Sequence, residues 1–335
     1  MEKVLITGAT GFIGGNLVKG NLAKGNRVRA LALTGDPGAV SLKTQGVEVA
    51  EGDVRDFASV KKAVDGMEIV FHCAAVVTDW APKRLFREVT VDGAENMCRA
   101  AGEAGVSRFV DISTCDVFGI DEDHVMDESF PLRPWKEPYP DYKIKSEEIM
   151  WRYHREKGLP VTMVYPCWVF GEGDQTFVPL LADAIIKKEL IFWRRDALVW
   201  PTYIENLVDL LLLISEDPRA VGNGYLVHDG ECTTLQEFCT EIARAMGVPP
   251  ATTHIPYGLA YAASWIMELL WKMLRIQKRP LLTTYTVKNL GSRFHFSIDK
   301  ARRELGWTPK IPYREGMAVT MKWLKTLDLT ALKQK

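Results

Sequence analysis

Hydrophobic positions in the first half of this chain fall into two alternating rhythms. Short apolar runs, Val4-Leu5-Ile6, Arg27–Leu33, Val47–Ala50, Glu68–Ala75 and Phe109–Thr114, are separated by stretches with helical spacing, among them Asn16–Ala23 and Pro82–Ala104. Continuous apolar runs suit strands buried on both faces, and strands alternating with helices at this interval predict a parallel sheet with right-handed crossovers. The expected fold is α/β: a doubly wound sheet over residues 1–170, and a smaller, mostly helical part over 171–335. The segment 200–228 is expected to return to the sheet.

The first strand runs into Thr7-Gly8-Ala9-Thr10-Gly11-Phe12-Ile13-Gly14 and the loop opens onto a helix. Glycines at 8, 11 and 14 allow a sharp turn and leave no side chain between backbone amides and an anion, while the helix N-terminus adds partial positive charge. Strand, glycine loop and helix together read as a seat for a dinucleotide pyrophosphate. The end of the second strand should then discriminate between cofactors. Leu33 and Thr34 stand there, Arg29 lies inside the strand, and Asp36 follows a little beyond. The lack of an acid at the end itself favours NADP slightly, with Asp36 standing against it.

Composition removes several alternatives. A formal net charge of -1 over 335 residues offers no bulk electrostatic attraction to nucleic acid. Six scattered cysteines lack any CxxC pair and six histidines lack ligand spacing, which suits reduced thiols and no metal site. The glycine loop occupies the place where a secretory signal would lie, so a cytoplasmic protein is expected.

Tyr139 and Lys143 are four apart at the start of a helix expected to run from Pro140 to about Lys157, before Gly158 and Pro160. They can therefore share a face. A phenol has a pKa of about 10, and an ammonium beside it would lower that value toward the range useful for proton exchange. Tyr142 has Ser146 four residues on, so the spacing selects Tyr139.

Taken together, TGATGFIG, GDVRD, FHCAA, ISTCDVFG and the Tyr-x-x-x-Lys spacing resemble an extended short-chain dehydrogenase/reductase. The later blocks Trp200–Asn206, Tyr225–Gly230 and Ser297–Trp307 resemble the same family, so the likeness spans essentially the whole chain. The resemblance implies that Tyr139 is the general acid/base, that Lys143 lowers its pKa and binds the nicotinamide ribose, and that Thr114 orients the substrate oxygen. It further implies NAD(P) contacts from Gly8, Thr10, Gly11, Phe12, Ile13, Asp53, Val54, Ala74, Ala75, Tyr139, Lys143 and Pro166. Cys115 and Asp116 lie where sugar-nucleotide dehydratases carry an acid pair; a cysteine there disfavours dehydration, and Cys115 is expected to be a packed small residue. A homodimer through the long helices is the family expectation.

Two departures bear on the substrate. Epimerases of the family hold a nucleotide-sugar pyrophosphate with an arginine where this chain has Leu198-Val199-Trp200-Pro201-Thr202, and the usual Leu-Arg-Pro after the sixth strand is Val164-Tyr165-Pro166. The apolar stretch from Ile255 to Leu274 is interrupted only by Glu268 and Lys272 and followed by Arg275, Lys278 and Arg279. It reads as a lid or core helix, or as a helix making peripheral membrane contact across 255–279. With Arg279–Thr283 it resembles the 3β-hydroxysteroid dehydrogenase branch, which implies a hydrophobic, steroid-like or long-chain β-hydroxy/β-keto lipid substrate. The rival readings are a nucleotide-sugar 4-epimerase and a non-catalytic NAD(P)-binding sensor or assembly protein.

Overall fold

The computed structural model describes residues 1–193 and 197–329. Its centre is a seven-stranded parallel sheet of β1 (Lys3–Thr7), β2 (Arg27–Ala32), β3 (Glu48–Glu51), β4 (Ile69–His72), β5 (Arg108–Ile112), β6 (Val161–Pro166) and β7 (Gly224–Val227). The order across the sheet is β7-β6-β5-β4-β1-β2-β3, and the direction of winding reverses between β1 and β4. β1, β4 and β6 are almost wholly buried, as expected of strands covered by helices on both faces. The doubly wound Rossmann-type architecture read from the hydrophobic pattern is therefore present.

The helices are α1 (Phe12–Ala23), α2 (Gly38–Thr44), α3 (Phe57–Val64), α4, α5 (Pro138–Lys157), α6 (Val178–Ile186), α7 (Ile204–Glu216), α8 (Leu235–Met246), α9 (Tyr257–Met273), α10 (Thr284–Leu290), α11 (Asp299–Leu305) and α12 (Tyr313–Leu324). Here α4 is the continuous rod Lys83–Phe86, Arg87–Asp92 and Gly93–Ala104, with a π-helical turn in the middle. Local chemistry marks several ends. The Asp56 carboxylate accepts from the amides of Ala58 and Ser59 to start α3, and a capping box of Thr234 with Glu237 starts α8. Pro138 takes the first position of α5, two residues earlier than expected from Pro140, and Gly158 ends it in the left-handed conformation at φ 70°.

The Tyr-Ile-Glu-Asn block opens α7 and fastens the C-terminal chain to the sheet. Asn206 accepts from the amides of Lys310 and Ile311 and donates to the Asp229 carboxylate, which in turn takes the Tyr203 amide. No helix among the described residues is long and apolar enough to cross a membrane.

Candidate active site

The site is built at the carboxyl ends of the central strands, beside the point where winding reverses. Gly8 ends β1 at φ 64°, and a Cβ there would lie 3.0–3.1 Å from the backbone of Cys73 and Ala74. At Gly14 a Cβ would fall 2.2 Å from the Gly8 carbonyl oxygen. Only glycine lets the first turn of α1 press this closely on the loop. Gly11 caps α1 with no side-chain bond, so the first amides of a twelve-residue helix point into the cradle without an internal partner. These residues fit a dinucleotide pyrophosphate, with Thr10, Phe12 and Ile13 on the same turn.

Thr7 joins the cradle to the next strand. Its hydroxyl accepts from the amides of Cys73 and Ala74, both at 3.1 Å, and lies 2.9 Å from His72 Nδ1. With both lone pairs taken, the hydroxyl proton must go to Nδ1. That assigns the imidazole as neutral with its proton on Nε2, in keeping with burial that drives its pKa down to about 4. The bend at Ala74 and Ala75 is thereby fixed against the glycine loop.

Around the adenosine end, Thr10 Oγ1 donates to the Asp36 carboxylate at 2.7 Å and the Gly38 amide donates to the same group at 2.8 Å. Arg29 points away, toward Glu48 and the carbonyls of Ala63 and Asp65. An acid, and not Arg29, therefore flanks the glycine loop. Asp53 makes a two-pronged bond with Arg55, which holds its carboxyl below the usual range, and Val54 is buried, its carbonyl taken by Asn96. Pro166 ends β6.

Tyr139 sits in the first turn of α5 and Thr114 follows β5 as the cap of a short 3-10 turn, accepting from the Asp116 amide at 3.3 Å. Burial pushes the Tyr139 phenol above its ordinary pKa, the nearby Asp116 charge adds to this, and the neighbouring Thr114 hydroxyl opposes it. The direction is opposite to the one inferred from the Tyr-x-x-x-Lys spacing. The reason is burial of the phenol, while the buried Lys143 ammonium donates to the Ile112 carbonyl at 2.8 Å and sits 3.4 Å from Asp111.

A second layer comes from residues whose role the sequence did not reveal. Tyr285 of α10 donates to Asp116 Oδ2 at 2.6 Å, Asn289 bonds the Tyr285 hydroxyl at 3.1 Å, and Trp135 Nε1 donates to the Asp116 carbonyl at 2.6 Å. Burial lifts the Asp116 carboxyl to about pKa 6 against the pull of Tyr285. The Tyr285 ring stands edge-on to Tyr139 with centroids 6.2 Å apart, and Trp135 packs on both Tyr285 and Phe294. The wall facing the phenol is therefore aromatic. Cys115 is buried against Cys167, as a packed small residue. Trp200, within the stretch 198–202 that carries no charge, donates to the Phe294 carbonyl at 2.6 Å and lies on His228. Among the described residues no cluster of His, Cys, Asp or Glu could hold a metal.

Comparison with known proteins agrees with this geometry. A model of the NAD dependent epimerase/dehydratase family matches residues 4–227. The chain is 29% identical to a 4-hydroxy-2-methyl-3-oxo-4-farnesyl-3,4-dihydroquinoline-1-oxide ketoreductase of Stigmatella aurantiaca, covering 94% of each chain. It is 30% identical to a 3 beta-hydroxysteroid dehydrogenase/Delta 5-->4-isomerase of Mycobacterium tuberculosis, covering 98% of this chain and 91% of the relative. The UDP-glucose 4-epimerase of Thermotoga maritima shares the fold with a TM-score of 0.78 at 19% identity, over 96% of this chain and 98% of that one.

Proposed function

The chain belongs to the NAD dependent epimerase/dehydratase family, and we propose that it is an NAD(P)-dependent oxidoreductase interconverting a secondary alcohol and a ketone on a hydrophobic substrate, steroid-like or a long-chain β-hydroxy/β-keto lipid. One observation carries the reading: the Tyr139 ring stands edge-on to Tyr285, on which Trp135 packs, so the phenol faces an aromatic wall and not a cationic one.

The nicotinamide supplies or takes the hydride. The chain handles the proton. A phenol kept protonated by burial and by Asp116 donates to a carbonyl oxygen during reduction, and Thr114 orients that oxygen. In oxidation the same phenol must lose its proton, and Lys143 is the nearby cation that can favour the phenolate and bond the nicotinamide ribose. Asp36, carried beside Thr10, suits the hydroxyls of an adenosine ribose and opposes a 2′-phosphate, which supports NAD and weighs against the slight preference for NADP.

The epimerase reading lacks a pyrophosphate clamp in the stretch 198–202, which carries no charge and whose Trp200 indole is engaged with Phe294. A non-catalytic role leaves the Thr114, Tyr139 and Lys143 set without a purpose. The test is to titrate NADH and NADPH separately, then follow reduced-nicotinamide absorbance with panels of hydroxysteroids, β-keto lipids and nucleotide sugars. Net redox change with a lipid and none with sugars is the expected result. Conversion of a nucleotide sugar with no net cofactor change would overturn it.

A further inference from the structure

Helix α9 is turned inside out. Ala260 and Ser264 are fully buried, and Glu268 one turn further on takes both the amide and the hydroxyl of Thr284 at 2.7 Å. This small, polar stripe at i, i+4 and i+8 is the side that packs on α10. At 100° per residue the opposite half of the helix carries Leu259, Trp265, Ile266, Leu269, Leu270 and Met273. All are exposed: Trp265 by 56%, Ile266 by 52%, Leu270 by 46% and Met273 by 71%. A helix of a water-facing surface has the reverse arrangement.

Charge narrows what covers that face. From Val248 to Ile298 the chain holds a single acid, Glu268, against Lys272, Arg275, Lys278, Arg279, Lys288 and Arg293. Glu268 bonds Thr284 and also pairs with Lys272 at 2.9 Å, while Lys272, Arg275 and Lys278 are exposed at the C-terminal end of the apolar face. A second copy seated face to face on α9 would offer the basic end no acid, since Glu268 is the single acid from 248 to 298 and is held by Thr284 and Lys272. An anionic lipid leaflet meets both the apolar face and its basic end.

We propose that α9 lies in the surface of an anionic bilayer, its outer face among the acyl chains and Lys272, Arg275 and Lys278 at the headgroups. The site is next door. Lys272 lies 5.5 Å over the Trp80 ring, Arg279 pairs with Asp79 in the loop that follows Ala74 and Ala75, and α10 beneath carries Tyr285 to Tyr139. A hydrophobic substrate drawn from the leaflet would enter beside α9; this last step rests on the proposed oxidoreductase reading, while docking itself does not.

The experiment is co-sedimentation of the full chain with vesicles of phosphatidylcholine alone or mixed with phosphatidylglycerol, read without turnover so that it stands apart from the activity assay. The protein is expected to bind the anionic vesicles, more weakly the neutral ones, and less as salt rises. Ile266→Glu combined with Leu270→Glu, both at exposed positions, is expected to lower anionic-vesicle binding by at least about tenfold with the melting temperature unchanged. No sedimentation of the wild type, or equal sedimentation of the double variant, overturns the proposal. So does a wild-type dimer that ignores vesicles and that the double variant splits.

Discussion

The cofactor cradle and the substrate wall meet at Tyr139 but are made in different ways. The cradle is backbone geometry: Gly8, Gly11 and Gly14 act within one turn, and its long-range element is the single hydroxyl of Thr7 tying β1 to β4. The wall is side-chain chemistry gathered across the chain, with Asp116 bonded to Tyr285 169 residues away and Asp79 to Arg279 200 residues away. A cradle of this kind depends on neighbouring backbone alone, whereas the wall depends on side chains far apart in the chain. The division between shared cofactor and private substrate is thus a division between local backbone and distant side chains.

Substitutions that strike one half should spare the other. The largest effect is expected at Gly14→Ala, where the new methyl overlaps the Gly8 carbonyl. Loop and helix must part, at about 3 kcal/mol, and isothermal titration should show nicotinamide dinucleotide binding lost even if the fold survives. Arg279→Ala comes next. Although burial pushes the Asp79 carboxyl up, Arg279 with Thr283 and Thr286 holds it below its usual pKa. Removing the guanidinium strands that carboxylate, and because Arg279 is one-third exposed the loss should be about 2 kcal/mol, less than for a fully buried pair. Denaturant melts should report it, with cofactor affinity unchanged and KM for the lipid raised.

Much of this was legible beforehand, and unevenly. The strands of the parallel sheet and the glycine loop were legible because each is a property of adjacent residues. The Tyr139 to Lys143 spacing located the helix, but no local pattern reveals that Lys143 bonds Ile112 and Asp111 or that Asp116 stands near the phenol. Tyr285 and Asn289 carried no signal at all. Four residues apart on a short helix, they look like ordinary surface positions until the fold sets them against Asp116.

The effect that depends on pH sharpens the comparison most. Burial raises Asp116 from its ordinary value near 4 to about 6, so the native state holds this proton more tightly than the unfolded chain. Its contribution to stability is full below about pH 4 and is lost as pH rises through 6, a difference of roughly two units at 1.36 kcal/mol each, about 3 kcal/mol at most. Asp116→Asn keeps an acceptor for Tyr285 without the charge. Thermal melts across pH should therefore show the variant more stable than the wild type at pH 7 and equal to it near pH 4.

The central claim is that Tyr139 moves the proton on a hydrophobic ketone while the cradle binds cofactor independently. Tyr139→Phe removes one oxygen atom, so its turnover and its cofactor affinity, measured side by side on the lipid that the wild type reduces, address the claim most directly. The account predicts kcat down by about 10²–10⁴ with nicotinamide dinucleotide affinity unchanged. Turnover at the wild-type rate would contradict it.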